Sequence, residues 1–461
     1  MPSLVINCVE RGRYLDSVAL MQLSRRLAML PGIGAAALMI GSPSNKALLR
    51  DAGLLVAEGE RAGPNDLLIA VRAADERAGQ QAVASALQLL EERDRSFPGT
   101  ELKAKTLAGA VELMPHANLA LISVPGDYAA LEARKALGAG LNALVFSSGV
   151  RLEEERELKR LANEKGLLVM GPDCGTALIA GTPLAFANAV PRGEIGIVSA
   201  SGTGLQEVSC LIARLGAGVS HGIGVGGRDL DERVGALGTL AAIDALERDA
   251  GTKVIVLLSK PPAPSVAEAV LARLARSPKR SVVCFLGLDK PGLAHTLHEA
   301  AEMATGNRIE AVKGEARCVR GKVEGLYCGG TLCSEAELIF RRRGLRGHRF
   351  VDLGDDQFTR GRPHPMIDPE LRNQHVARAL ADSEVGVLLV DVVLGYGSHL
   401  DPAGVLLKES LSSKVVIASV VGTERDPQVR SHQVERLRAA GVWVAPSNAL
   451  AAEWAASAAS Y

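Results

Sequence analysis

Short apolar runs alternate along this chain with longer stretches whose apolar positions recur at helical spacing. Near the start, Leu4–Cys8, Ala35–Ile40 and Leu67–Val71 read as strands, and Asp16–Leu30 and Gly79–Glu92 as helices. Their order predicts a small α/β unit over residues 1–105 that closes in a charged, Pro-containing stretch, Glu91–Gly99. From Asn118 the rhythm becomes strand then helix. Leu119–Val124, Ala143–Phe146 and Leu167–Met170 are expected strands, with helices over Tyr128–Gly138 and Leu152–Lys165, giving a Rossmann-like remainder over 106–192. A next unit, 193–320, carries strands at Ile195–Val198, Gly222–Val225, Val254–Leu258 and Ser281–Leu286. A Gly- and Arg-rich stretch, Gly314–Gly325, reads as a linker, and a last unit, 321–461, has strands at Arg349–Leu353, Val385–Val390, Val415–Ala418 and Val442–Val444. Strands that alternate with helices predict the α/β class, with parallel sheets covered on both faces.

One turn carries chemistry. Ile195–Val198 is an apolar run, Ser199-Ala200-Ser201-Gly202-Thr203-Gly204 a small and hydroxyl-rich turn, and Leu205, Val208, Leu211, Ile212 and Leu215 recur at helical spacing. Strand, tight turn and helix place free N–H groups and the positive end of the helix dipole where an anion, most often phosphate, sits. The same plan recurs at Val387–Ser398, where an apolar run leads into Gly395-Tyr396-Gly397-Ser398.

Composition narrows the function. At 461 residues the chain is too long for one core. Its 52 basic and 52 acidic residues cancel, which removes the electrostatic case for nucleic acid or an anionic membrane. The seven cysteines are scattered without zinc spacing, so no metal site is expected and buried thiols are. Arg11 and Arg13 interrupt the start, and no apolar run is long enough to span a bilayer. A cytoplasmic protein is the expectation.

The ordered motifs resemble the succinyl-CoA synthetase superfamily, and within it the FdrA-type branch of acyl-CoA synthetase-like proteins. Gly171-Pro172-Asp173-Cys174-Gly175 resembles the motif that ends the CoA-binding domain of the α subunit. Gly196–Thr203 resembles the motif that opens its ligase domain, with Glu207 at the place of the motif's Glu, and Gly222–Leu230 resembles the next turn. Gly325-Leu326-Tyr327-Cys328-Gly329-Gly330-Thr331-Leu332-Cys333, Phe350–Gly354 and Gly395–Ser398 resemble the C-terminal domain of the β subunit. The resemblance implies two flavodoxin-like ligase domains whose helices aim their N-termini at one acyl-phosphate site. The helices after Ser201-Gly202-Thr203 and after Gly395–Ser398 are the expected pair. It also implies Glu207 and Arg228 as candidate catalytic groups. Ser199, Ser201, Gly202, Thr203, Gly226, Gly227, Gly395, Gly397 and Ser398 are implied phosphate binders, and Gly171, Pro172, Asp173 and Cys174 a CoA-like site.

The chain departs from that family at three places. No stretch is long enough for an ATP-grasp domain. The phosphohistidine loop is replaced by Gly287–His298, whose His295 and His298 read as structural, and its supporting Glu by Ser259-Lys260-Pro261-Pro262. The Gly-rich CoA loop is not evident near the start, where Ile40–Asn45 is a poor substitute, and Asp173 stands for Asn, so CoA is a candidate cofactor only. Among other polar residues, Arg228 fits an anion clamp or an ion pair closing its turn. Lys260, Arg360, Arg362 and His364 follow expected strands, where α/β ligands sit, and are candidate substrate binders; a Pro-stiffened structural loop is the alternative for the last three. A substrate that arrives already activated, such as carbamoyl phosphate, suits what is kept. FdrA-type proteins are associated with purine and allantoin nitrogen catabolism, as a subunit of an oxamate carbamoyltransferase. The expected partners are a small anionic substrate and other protein subunits in a homo- or hetero-oligomer. An acyl-CoA ligase subunit with a separate ATP-grasp partner, and a non-catalytic effector-sensing scaffold, are the alternatives.

Overall fold

A computed structural model of the chain describes residues 4–13, 15, 17–95, 104, 106–310, 319–359 and 363–459. It divides into two compact units. One comprises Met1–Ala143, Ser147–Val150 and Asp356–Pro363, the other Leu144–Phe146, Arg151–Asp355 and His364–Tyr461.

In the first unit, β1 (Leu4–Glu10), β2 (Ile33–Ile40) and β3 (Leu67–Ala73) form an antiparallel sheet in the order β1-β3-β2. The central strand β3 is apolar at every position but Arg72 because both its faces are covered. Leu67, Ile69 and Val71 pack with Leu20, Leu23 and Leu27 of α1 (Ser17–Ala28) and Ala82, Ala86 and Leu90 of α4 (Glu76–Arg95). Leu68 and Ala70, on the alternate face, pack with Leu49 of α2 (Pro43–Asp51) and with Ala62, just after α3 (Ala57–Glu60). The chain continues through α5 (Leu107–Leu113), β4 (Leu119–Ile122), α6 (Gly126–Gly138) and β5 (Asn142–Val145).

The second unit takes in Leu144–Phe146, with the last two residues of β5, and then α7 (Leu152–Glu164), β6 (Val169–Met170) and a hairpin, β7 (Thr176–Ile179) and β8 (Thr182–Ala185). Next come β9 (Ile195–Ser199), α8 (Gly202–Arg214), β10 (Val219–Gly224), α9 (Leu237–Arg248), β11 (Val254–Ser259), α10 (Pro264–Leu274), β12 (Arg280–Phe285) and α11 (Leu297–Thr305). Their sheet runs β12-β11-β9-β10-β7-β8, parallel except where the hairpin joins. After it lie β13 (Lys322–Tyr327), α12 (Gly330–Arg342), β14 (Arg349–Asp352), α13 (Asp356–Thr359, which belongs to the first unit), α14 (Glu370–Ala381), β15 (Val385–Val393), α15 (Pro402–Leu406), β16 (Val415–Val421), α16 (Arg430–Ala439), β17 (Trp443–Ala445) and α17 (Asn448–Ala458). The second sheet is wholly parallel, in the order β14-β13-β15-β16-β17. Numbered within itself, that order is 2-1-3-4-5, the flavodoxin arrangement, and β10-β9-β11-β12 is its first four strands.

The expected linker is shorter than Gly314–Gly325. Residues 311–318 lie outside the described ones, but Lys322–Gly325 already belongs to β13. Lys322, Glu324 and Gly325 break its apolar run, which hides the strand from periodicity. The two sheets share one core. Leu205, Leu211 and Ile212 of α8 and Ala300 and Ala301 of α11 belong to the same buried cluster as Leu332, Ala336 and Ile339 of α12 and Ala451, Ala452 and Ala455 of α17. A helix gripped from several sides needs apolar or small residues around most of its girth, and Gly204–Ile212 is buried without a break.

Candidate functional site

In a doubly wound sheet, ligands sit beyond the carboxyl ends of the strands, where the strand order reverses. Those places are the ends of β9 and β11 in the first sheet and of β13 and β15 in the second. Ser201, Lys260, Gly329 and Gly395 stand there.

Ser201 caps α8. Its Oγ accepts from the Gly204 N–H at 2.9 Å and donates to Thr331 Oγ1 at 2.6 Å. Ser199 shapes the turn from below, its hydroxyl donating to Ser201 O and accepting from Ser201 N. Thr331 is the second residue of α12, so the N-termini of α8 and α12 meet hydroxyl to hydroxyl. A Cβ added at Gly329 meets the Thr203 side chain at 3.0 Å, a second close approach between the same two turns. Both helices open with Gly-Thr: Gly202-Thr203 and Gly330-Thr331. Helix geometry leaves the N–H groups of these four residues without an intrahelical acceptor.

This corrects the expected pairing. The helix opposite α8 is α12, not the one after Gly395–Ser398. That turn leads only to the five-residue α15, which Asp401 caps. Backbone groups of its first two residues are engaged: the Gly395 N–H donates to Gln428 Oε1, Tyr396 N–H to Ala187 O, and Gln428 Nε2 to Gly395 O. Gly397 lies against the Phe186 ring, where a Cβ would come within 2.5 Å. Ser398 is buried and its Oγ has no hydrogen-bond partner. The Gly-Thr echo after β13 was the signal that identifies the true partner.

Charged groups gather at the start of α12. A Cβ at Gly330 would strike Asp352 Oδ2 and come within 3.3 Å of Lys260 Nζ. Lys260 itself is exposed. Asp352, at the end of β14, accepts from the Gly354 N–H at 3.0 Å. Burial pushes its carboxyl up to about 6, against the pull of Lys260. A Cβ at Gly354 would come within 2.6 Å of His364 Nε2. His364 Nδ1 accepts from Met366 N, and burial lowers the imidazole to about 4, so the ring is neutral near pH 7. Beneath the turn, the buried Asp391 carboxylate accepts from Cys328 N at 2.7 Å and Gly329 N at 2.8 Å, fixing the entry to α12. The buried Arg372 donates to Asp391 O at 2.6 Å and to Cys328 Sγ. Sequence reasoning assigned no role to Thr331, Asp352, Asp391 or Arg372.

Of the remaining candidates, Gly227 stands beside the α8 turn, where a Cβ would be 3.8 Å from Ala200 O. Glu207 is buried in α8, where its carboxylate accepts from the Asn448 N–H at 2.9 Å and caps α17; burial raises its pKa. Arg228 pairs with the buried Glu155 at 2.8 Å. Its neighbour Asp229 accepts from Lys159 and from the Gly238 and Thr239 N–H groups that open α9. Gly226 abuts Gly171 and Pro172, and Gly224 would place a Cβ 2.6 Å from Cys174 Sγ. The Gly171-Pro172-Asp173-Cys174 segment is thus packed against the end of β10. These glycines serve the close approach of the two segments. Arg360 and Arg362 lie outside the described residues. His298 is satisfied by Ser447 Oγ and Glu302 Oε1. The six described cysteines are unpaired, and burial raises Cys174 to about 12. Among the described residues no helix is long and apolar enough to cross a membrane.

A family model described as "CoA-ligase" matches residues 326–458, and one described as "AllF, heavy metal-associated domain" matches residues 4–105. The second name implies a metal, which the residues do not fit. The loop after β1 reads Arg11-Gly12-Arg13, Cys8 is a lone thiol, and among the described residues no group of three or more His, Cys, Asp or Glu is placed to hold an ion. The uncharacterized protein YahF of Escherichia coli K12 is 40% identical over 95% of this chain and 96% of its own length. The ADP-forming succinate–CoA ligase subunit alpha 2 of Archaeoglobus fulgidus is 27% identical over 48% of this chain and 76% of its own. The ADP-forming sulfoacetate-CoA ligase subunit SauD of Bilophila wadsworthia is 26% identical over 46% and 71%. The motifs, the paired flavodoxin-like sheets and a relative matched from end to end place this chain in the FdrA-like CoA-ligase family of the succinyl-CoA synthetase superfamily.

Proposed function

We propose that this chain handles an acyl phosphate, carbamoyl phosphate in particular, at the opposed N-termini of α8 and α12. It does so as one subunit of a cytoplasmic carbamoyltransferase complex that interconverts oxamate and oxalurate in nitrogen catabolism. The observation that carries this reading is the Ser201–Thr331 contact, which joins two helix starts and their orphan N–H groups. Orphan N–H groups and two dipoles, with Lys260 at the rim, favour the charge of a phosphoryl group before and during transfer. Such a site supplies positioning and electrostatics rather than covalent chemistry. The name of the AllF family model, matched over residues 4–105, supports an allantoin-related setting.

The names of the CoA-ligase subunits among its relatives favour a second reading, in which a separate subunit uses ATP and this chain completes an acyl-CoA ligase. Co-purification with the products of adjacent genes separates the two. The assembled complex is expected to form carbamoyl phosphate from oxalurate and phosphate. Removing both hydroxyls in a Ser201→Ala/Thr331→Ala variant is expected to lower that rate about 100-fold with the fold intact. CoA-dependent ATP consumption without carbamoyl phosphate supports the ligase reading instead. An unchanged rate in the double variant assigns the chain to a scaffold role.

A further inference from the structure

One buried amide ties α8 and α12 together. Asn448 is the first residue of α17 and is fully buried. Its N–H donates to Glu207 Oε1 of α8 at 2.9 Å. Its Nδ2 donates to two acceptors on α12, Glu335 Oε2 at 2.7 Å and Leu332 O at 2.9 Å. Its Oδ1 accepts from Ser419 Oγ of β16 at 3.4 Å. Glu335 Oε1 is held in turn by the Leu297 N–H at the start of α11. The α17 helix does not need this amide for its own sake, because Ser447 already caps it, its Oγ accepting from Leu450 N.

The tie lies close behind the cradle. Glu207 is six residues past Ser201 and Glu335 four past Thr331, about 9 Å and about 6 Å along their helices. A single bond between two hydroxyls at the mouth leaves two helices free to twist or slide about it. A second tie further along removes that freedom. We propose that Asn448 is the positioning residue of the cradle: by gripping Glu207 and Glu335 at once it fixes the register of α8 against α12, and with it the spacing of the N–H groups that receive the phosphoryl group. The proposal rests on the anion-cradle reading given above. An anion held by N–H groups from two helices needs both sets at hydrogen-bond distance together, and a shift of about 1 Å in one of them spoils the set.

Exchanging donor and acceptor tests the grip. In Asn448→Asp a carboxylate faces Glu335 and Leu332 O, and no donor remains for either. In Glu335→Gln/Asn448→Asp the new amide can donate back to the new carboxylate, which restores one bond across the pair with the formal charge unchanged. Inorganic phosphate is titrated calorimetrically into the full-length chain at pH 8, above the value of about 7 to which burial raises Glu335. Asn448→Asp is expected to bind phosphate about 10-fold more weakly than the wild type, and the double variant to regain about 3-fold of that loss. Asn448→Ala, which removes the amide without adding charge, is expected to match Asn448→Asp and answers the question if the latter does not fold. Val416→Ala, at a buried residue of β16 outside the shared cluster, controls for lost stability alone, with a lower urea midpoint and unchanged phosphate affinity expected. Wild-type affinity in Asn448→Ala overturns the role of Asn448 and leaves the cradle standing. A double variant that binds no more tightly than Asn448→Asp, or a Val416→Ala variant as weak as Asn448→Ala, assigns the effect to general loss of packing and overturns it too. A wild type that binds no phosphate overturns the cradle and the proposal with it.

Discussion

Asp391 shows how a single buried charge holds the site in shape. Both oxygens accept backbone N–H groups at the entry to α12, and Arg372 lies behind them with its guanidinium buried. Asp391→Ala leaves two N–H groups without acceptors and the buried Arg372 without its counter-charge, so the expected loss is about 3–5 kcal/mol. Asp391→Asn keeps one acceptor and is expected to lose less. Urea unfolding of the full chain checks both, and a change under about 0.5 kcal/mol for the alanine variant removes the role. Such residues were the least legible in the sequence. Lys260 and His364 stood out because each follows a strand. Asp391 and Asp352 lie inside apolar runs, where an acid reads only as an interruption. Glu207 matched a motif, but its carboxylate spends its hydrogen bond on the start of α17, which no spacing rule reveals.

At the scale of elements, α12 carries most of what the sequence left obscure. Ile195–Val198 announces β9 because nothing polar interrupts it. Lys322 and Glu324 make β13 look like linker, although they pair with Glu384 and Arg349 at the margin of the sheet. Once β13 is missed, the Gly-Thr start of α12 loses its context, and the Gly395 turn takes its place. The same helix also imposes a pH dependence. Glu335 is fully buried; it accepts from Leu297 N and Asn448 Nδ2, and burial pushes its carboxyl up to about 7. A carboxyl whose folded pKa lies above its unfolded value binds its proton more tightly in the folded state. Its contribution is therefore complete below the unfolded value of 4.5 and is lost as pH rises through about 7. The span corresponds to about 3 kcal/mol. Glu335→Gln is expected to be less stable at pH 5, having lost one of its two acceptors, yet flatter between pH 5 and 8. Denaturant titrations across that range test it, and parallel profiles for the two proteins exclude Glu335 as the source.

For the whole molecule, the parallel α/β class followed from the strand-helix rhythm and the flavodoxin-like arrangement from the family resemblance, but the merging of the two sheets' cores followed from neither. Periodicity reports which face of a helix is apolar, not which neighbour covers it. In the second unit, α8, α11, α12 and α17 share one buried cluster. Leu332→Ala, in the middle of that cluster, is expected to cost about 2–5 kcal/mol and to lower the unfolding of both sheets together. Scanning calorimetry combined with hydrogen exchange reads this out. If protection falls only in β13–β17 while β9–β12 keep theirs, the two halves unfold separately.

The Ser201–Thr331 contact has a last consequence, for concentration. When two halves of a binding site sit on separate chains, dilution parts them and the site disappears with the complex. Here a single polypeptide carries both helix starts, so their meeting is intramolecular and its effective concentration is fixed by the chain. The cradle is therefore expected to persist at nanomolar protein, its stoichiometry locked at one to one. What dilution removes is only what other subunits contribute.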